Sequence, residues 1–175
     1  MVIDHKLKQK NLHLKSKLEK IKIVLTDNDG VLTDTGVYYS ESGEEFKRFS
    51  IRDGMGIERL RKYAGVETII ITGEISGSVK ARAEKLKMKE YYLGVYKKEE
   101  ILPEIMRKNN VTSEEIAFVG DDSNDVELMK LVGFKSTPVD GMSFIKEMAD
   151  YICENKGGNG AFREVAELII AFKNK

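Results

Sequence analysis

Three short apolar runs set the framework of the chain: 21–26 (IKIVLT), 67–72 (ETIIIT) and 115–120 (EIAFVG). Each is rich in β-branched residues and ends in Thr or Gly before a polar loop, the pattern of a strand buried on both faces of a parallel sheet. Segments of helical period fill the intervals, among them 53–63, 75–87, 98–109 and 122–132, with Asp53, Ser76 and Ser123 in capping-type positions. The β-α alternation predicts a doubly wound, mainly parallel α/β sheet.

Residues 37–50 depart from this rhythm. VYYS and EEFKRFS read as two strands joined through SESG, whose Gly suits a tight turn, so a β-hairpin flap is predicted to leave the sheet. Near the far end, KGGNGAFRE supplies a glycine stretch, after which Phe162, Val165, Ala166 and Ile169 mark one face of a last helix. At the near end, residues 4–20 place Leu7, Leu14 and Leu18 on roughly one helical face among lysines, which predicts a basic amphipathic helix docked on the body. The organisation expected is a basic helical extension over 1–20 and a single globular domain over 21–175.

Charge refines this picture. Basic and acidic residues number 29 each, so no overall excess draws the chain to nucleic acid or an anionic membrane. Seven lysines lie within residues 1–22 against two acids, which leaves the remainder mildly acidic, with 22 basic residues against 27 acidic. Cys153 is the only cysteine, with no partner for an internal disulfide or a zinc cluster, and suits a buried thiol in a reducing cytoplasm. No stretch has the continuous apolar core of a secretory signal or a membrane span.

Candidate chemistry gathers where the predicted strands end, the edge at which open α/β sheets place ligands. After the first strand, Asp27-Asn28-Asp29-Gly30 sets two carboxylates two residues apart. Asp27, continuing the strand, can face a substrate, and Asp29, on the turn that Gly30 allows, can stand beside a leaving group. The second strand ends at Thr72-Gly73, where a hydroxyl and backbone N–H groups can bind phosphoryl oxygens. A YKKEE run offers Lys97 or Lys98 to neutralise phosphate charge, and spacing alone does not choose between them. The third strand ends in Gly120-Asp121-Asp122-Ser123-Asn124-Asp125, a carboxylate cluster whose oxygen ligands imply magnesium. Singly, each piece reads as a turn or a cap; together they fall on one edge of one sheet.

T-D-N-D-G-V, I-T-G, Lys98 and G-D-D-S-N-D resemble, in order, the four signature motifs of the haloacid-dehalogenase-like hydrolase superfamily. From about Ile21 to Phe172 the chain looks like its capless sugar-acid phosphatases, the family acting on 3-deoxy-D-manno-octulosonate 8-phosphate, through V-Y-Y-S-E-S-G-E-E-F-K-R-F-S-I-R-D-G-M-G-I and K-G-G-N-G-A-F-R-E. The resemblance implies a Rossmann-like sheet with a hairpin flap and no cap domain. It implies Asp27 as nucleophile forming an aspartyl-phosphate, Asp29 as acid and base, and Thr72 and Lys98 as phosphoryl-binding groups. Magnesium would be held by Asp27, the main-chain carbonyl of Asp29 and Asp121, with Asp122 and Asp125 orienting that shell. It further implies a homotetramer in which hairpins associate and the glycine tail of one subunit covers a neighbour's site. There Gly157, Gly158 and Gly160 would allow close approach, and Arg163 would face the carboxylate of a small sugar-acid phosphate.

One departure bears on the substrate. Where the octulosonate phosphatases usually continue Thr-Gly-Arg, this chain has Thr72-Gly73-Glu74, and Glu74 with Lys85 resembles the branch acting on 2-keto-3-deoxynononate 9-phosphate. On one continuous helix Glu74 and Lys85 would lie about 16 Å apart and serve different contacts. Two readings of other classes compete: a catalytically silent oligomerisation module, which predicts damaged motifs, and a receiver-like phosphoacceptor domain, which does not require a carboxylate at position 29.

Overall fold

A computed structural model describes residues 4–173. Its strands are β1 (Ile23–Thr26), β2 (Thr33–Ser40), β3 (Gly43–Phe49), β4 (Glu67–Ile71), β5 (Tyr91–Tyr92), β6 (Ile116–Val119), β7 (Phe134–Thr137) and β8 (Tyr151–Ile152). Its helices are α1 (His5–Lys10), α2 (Lys15–Leu18), α3 (Ile51–Arg59), α4 (Gly77–Lys85), α5 (Leu102–Asn109), α6 (Val126–Leu131), α7 (Ser143–Met148) and α8 (Ala161–Lys173). Six strands form one parallel sheet in the order β5-β4-β1-β6-β7-β8, while β2 and β3 make a separate antiparallel hairpin.

The period-2 pattern of the central strands divides the core. Val24, Ile70, Ala117 and Val119 face one side, where α3, α4 and α8 pack. Ile23, Leu25, Ile69, Ile71, Ile116 and Phe118 face the other, against α5, α6 and α7. Burial on both faces explains why these strands are uninterrupted apolar runs. The predicted doubly wound sheet and the hairpin are both present, and only the hairpin and α3 lie between β1 and β4, so no cap domain is inserted there. No helix of the described residues is long and apolar enough to cross a membrane.

Details of the helix starts differ from expectation. Ser50, rather than Asp53, caps α3 by accepting from the N–H groups of Arg52 and Asp53. The Asp53 carboxylate instead accepts from Gly160 N at 3.1 Å and Arg163 N at 2.9 Å, binding the start of α8 to α3. Asp122, rather than Ser123, caps the turn that leads into α6, while Ser76 caps α4 as expected.

The basic segment is broken into α1, a tight turn over Leu12–Leu14, and α2, because Asn11 turns its amide back to the carbonyl of Leu7. Leu14 and Leu18 are buried in the main core and Leu7 packs at its edge. The lysines meet the acidic body: Lys17 pairs with Asp150 at 2.7 Å, Lys22 with Glu115 at 2.6 Å, and Lys10 with Glu154. Exposed pairs of this kind are weakened by solvent and salt, whereas burying a leucine contributes roughly 1.5–3 kcal/mol. The leucines therefore anchor the segment and the lysines orient it.

Candidate active site

Asp27 N donates to Val119 O at 2.9 Å, which carries the β1–β6 pairing one residue past the strand and delivers the Asp27 side chain to the carboxyl edge of the sheet. The chain then reverses sharply. Asn28 O accepts from Leu32 N and Thr33 N at 2.9 and 3.0 Å, and Gly30 adopts a φ of +93°. A side chain at Gly30 is excluded twice, by this backbone conformation and by Asp121, whose Oδ2 would lie 1.9 Å from an added Cβ.

Asp27 Oδ1 accepts from Asn28 N at 2.7 Å and stands 2.8 Å from Lys98 Nζ. Lys98 is fully buried and also bonds Asp125 Oδ1 at 2.6 Å. Lys97 points to solvent, paired with Glu100, so the structure decides between the two lysines. Burial works against the Lys98 ammonium, but Asp27 and Asp125 more than offset it and hold its proton affinity above the ordinary lysine value. Thr72 N donates to Tyr92 O at 3.0 Å, extending β4 so that Thr72 and Gly73 reach the same cavity.

Asp125 is saturated: beyond Lys98, its Oδ2 accepts from the N–H groups of Asp121 and Asp122 at 2.8 and 3.3 Å. It orients the loop. Asp122 is exposed and bonds Ser123 N, at the cavity rim. Asp27, Asp121 and Asp125 bring carboxylate oxygens within 4.8 Å of one another. Asp121 Oδ1 is buried with no hydrogen-bond partner among the described residues. Burial, followed by the charges of Asp27, Asp125 and Asp122, pushes the Asp121 carboxyl up to about 8; burial and then Asp125 push Asp27 up as well, against the pull of Lys98. An orphaned buried oxygen among crowded carboxylates is what a hard divalent cation relieves, so the donor set fits magnesium, which the side chains of Asp27 and Asp121 could hold.

Asp29 lies beside this centre, and its carboxylate is gripped by a residue that strand patterning did not single out. Lys47 Nζ on β3 is 2.7 Å from both Asp29 oxygens, and Glu44 of the same strand flanks it at 3.4 Å. Burial acts against the Lys47 ammonium, but Asp29 and Glu44 hold its proton affinity above the ordinary value. In EEFKRFS the aromatic Phe46 is exposed while its neighbour Lys47 is buried, the reverse of what their polarity suggests, so the sequence carries no signal that would have found Lys47. The cavity, about 360 Å³, is further lined by Thr35, Tyr39, Glu74, Tyr96 and Asn124.

Three residues considered for substrate binding lie outside this cavity within the subunit. Lys85 ends α4 at the surface, whereas Glu74 precedes that helix in a loop, so one helix does not span both. Gly158, with a φ of +61°, donates its N–H to Val31 O beneath the catalytic loop. Arg163 bonds Glu167 at 2.7 Å and lines a second cavity of about 310 Å³ beside Arg52.

A Rossmann-like sheet whose carboxyl edge collects two aspartates, a threonine, a buried lysine and a further acidic pair defines a phosphohydrolase. The haloacid dehalogenase-like hydrolase family model matches residues 71–165. The 3-deoxy-D-manno-octulosonate 8-phosphate phosphatase of Haemophilus influenzae is 36% identical over 93% of this chain and 89% of its own length. Its Escherichia coli K12 counterpart is 35% identical over 91% and 85%. Among solved structures, the cobalt-bound enzyme from Haemophilus influenzae superposes with a TM-score of 0.88 at 36% identity, covering 91% of this chain and 92% of that one. The Moraxella catarrhalis phosphatase, in complex with magnesium, phosphate and the octulosonate, gives 0.89 at 33% identity with 94% of each chain covered. The chain belongs to the haloacid dehalogenase-like hydrolases, as a phosphoric monoester hydrolase of the group to which these octulosonate phosphatases belong.

Proposed function

We propose that this enzyme hydrolyses the phosphate monoester of a 2-keto-3-deoxy sugar acid, 3-deoxy-D-manno-octulosonate 8-phosphate in the first instance, through an aspartyl-phosphate on Asp27. The observation that carries this reading is the buried Asp27–Lys98–Asp125 arrangement beside Asp121, in a chain that matches octulosonate phosphatases over almost its whole length. Magnesium, when bound by Asp27, Asp121 and the main-chain carbonyl of Asp29, supplies positive charge that lets the crowded carboxylates ionise and offsets charge on the phosphoryl group.

Asp27, held by Asn28 N and Lys98, attacks phosphorus while Asp29 gives its proton to the departing sugar oxygen. Asp29 then takes a proton from the water that attacks the aspartyl-phosphate. Lys98, with two of its three donors committed to Asp27 and Asp125, retains one for a phosphoryl oxygen, and Thr72 and Gly73 offer a hydroxyl and a main-chain N–H to the others. The intact set of groups argues against a silent scaffold, and Asp29 against a receiver.

A second reading, the nine-carbon 2-keto-3-deoxynononate 9-phosphate, is favoured by Glu74, which lines the cavity. The exposed cross-strand aromatics Tyr38 and Phe46 support self-association as a homotetramer, in which Gly158, Lys85 and Arg163 would act across subunits. The buried lone thiol of Cys153 supports a cytoplasmic setting. Phosphate release from the two keto-acid phosphates and a panel of ordinary sugar phosphates, with magnesium and with chelator, tests the reading. Preferential, chelator-sensitive release from either keto-acid supports it; release without preference, or none from folded magnesium-loaded protein, sinks it.

A further inference from the structure

The flap reaches the chemistry through one side chain. Lys47 stands opposite Val37 in the hairpin register, its side chain 1% exposed, with its ammonium 2.7 Å from each oxygen of Asp29. The two oxygens differ in their other partners. Oδ1 also accepts from Asn28 Nδ2 at 3.1 Å and Thr33 Oγ1 at 3.3 Å, whereas Oδ2 has no further hydrogen-bond partner among the described residues. Oδ2 therefore keeps hydrogen-bonding capacity toward a substrate in the cavity, with the carboxylate plane fixed by the contacts of Oδ1.

Lys47 is itself held. Glu44 lies 3.4 Å from its ammonium and accepts hydrogen bonds from Ser76 and Ser78 at the start of α4. The hairpin is thus tied on one side to the loop carrying Asp29 and on the other to the helix that follows Thr72 and Gly73. A free lysine on a protruding flap would lose considerable rotamer entropy in reaching Asp29, and the Glu44 contact offsets part of that cost.

We infer that Lys47 is a positioning residue for phosphate-ester cleavage: it holds the Asp29 carboxyl in the orientation from which a proton passes to the leaving oxygen. The inference rests on the acid and base role proposed for Asp29. In the first step the P–O bond to the sugar breaks as the Asp27–phosphorus bond forms, and the Asp29 proton goes to the departing oxygen. In the second, water attacks phosphorus as the Asp27–phosphorus bond breaks and phosphate is released, and the water's proton returns to Asp29. Lys47 remains an ammonium throughout and transfers nothing.

The test compares kcat/KM of the full-length enzyme on two classes of ester. An alkyl sugar phosphate needs a proton on its leaving oxygen, whereas p-nitrophenyl phosphate expels nitrophenolate unaided. Because a positioned acid contributes about 10²–10⁴-fold, Lys47→Met should lower kcat/KM about 100-fold on the alkyl ester and less than about threefold on the aryl ester, with Lys47→Arg recovering to within about tenfold of wild type. Equal losses on both esters would reduce Lys47 to a structural role, and a raised KM with kcat intact would make it a substrate contact; either overturns the inference. Glu44→Gln should give the same leaving-group pattern at smaller amplitude, and decides the matter if Lys47→Met does not fold. Asp29→Asn is the reference: without leaving-group dependence there, the acid/base reading itself fails, whereas dependence there but not in Lys47→Met defeats only the role of Lys47.

Discussion

The main chain of Gly157 runs against that of Gly30, so closely that a methyl group on Gly157 would stand 1.8 Å from the Gly30 carbonyl oxygen. Gly30 in turn abuts the Asp121 carboxylate, and tail, catalytic loop and acidic cluster form one stack. The flap secures it: Arg48 bonds Asp34, Gly158 O and Asn159 Oδ1, on the residue next to Lys47. The glycine stretch, expected to let the tail reach a neighbour, thus has a sufficient cause inside its own subunit. Gly157→Ala presses a methyl onto backbone that cannot rotate aside, and should cost about 1–3 kcal/mol of stability. Turnover should fall with it, because the displaced loop carries Asp29. Denaturant midpoints and phosphate release check both; an unchanged midpoint would show that the tail yields freely.

Metal binding should become more stabilising as pH rises. Asp121 goes from an ordinary value of 3.8 to about 8 in the fold without a cation. A carboxyl whose folded value is raised contributes stability that is fully present below its unfolded value and lost as pH climbs through the folded one. The metal-free protein should therefore lose stability between about pH 4 and 8, the window set by those two values. Magnesium reverses the loss by binding the ionised form, adding about 2.7 kcal/mol at a hundred times its Kd. Melting temperatures with magnesium and with chelator at pH 5 and pH 8 measure the difference, which should be the larger at pH 8. An equal shift at both pH values would remove Asp121 from the metal site.

Lys98 and Lys97 are adjacent in sequence and opposite in consequence. Lys98→Met leaves Asp27 and Asp125 buried without their shared cation, and breaking such a pair from one side costs about 3–5 kcal/mol. Lys97→Met removes only an exposed pair with Glu100 and should leave both stability and activity unaltered. Chemical denaturation and turnover of the two variants side by side give the comparison. Comparable losses in both would contradict the inward assignment of Lys98.

The central strands and the catalytic loop were legible because their causes are local. A strand buried on both faces must be apolar along its length, and a carboxyl edge must end in turn-forming, charged residues. The outer strands were not legible. Tyr91–Tyr92 and Tyr151–Ile152 are two-residue pairings, and Phe134–Thr137 buries Ser136 and Thr137, whose polarity disguises a strand. The Ser50 cap escaped notice for a different reason: Asp53 is the more conspicuous capping residue, but its carboxylate is committed to Gly160 and Arg163, distant in sequence. Lys47 belongs to the same class. Its partner Asp29 lies across a hairpin turn and a loop, and no spacing rule links them.

The exposed face of the flap carries a final consequence. Tyr38 and Phe46 are cross-strand partners, 65% and 68% exposed. Aromatic surface of this extent on a protruding hairpin favours burial against another copy of the same hairpin, since a shared symmetric contact satisfies every copy equally. The opposite face of that hairpin presents Lys47 to Asp29, so association should steady the acid/base group as well as hide the aromatics. In the proposed homotetramer, Tyr38→Ser with Phe46→Ser should reduce the native mass from about four subunits to fewer, and lower turnover of the sugar-acid phosphate in parallel while leaving the fold intact by circular dichroism. Light scattering and phosphate release on the same samples provide the readout. A dissociated enzyme with full turnover would mean that the hairpin holds Asp29 without help from a neighbour, and that the site is complete within one chain.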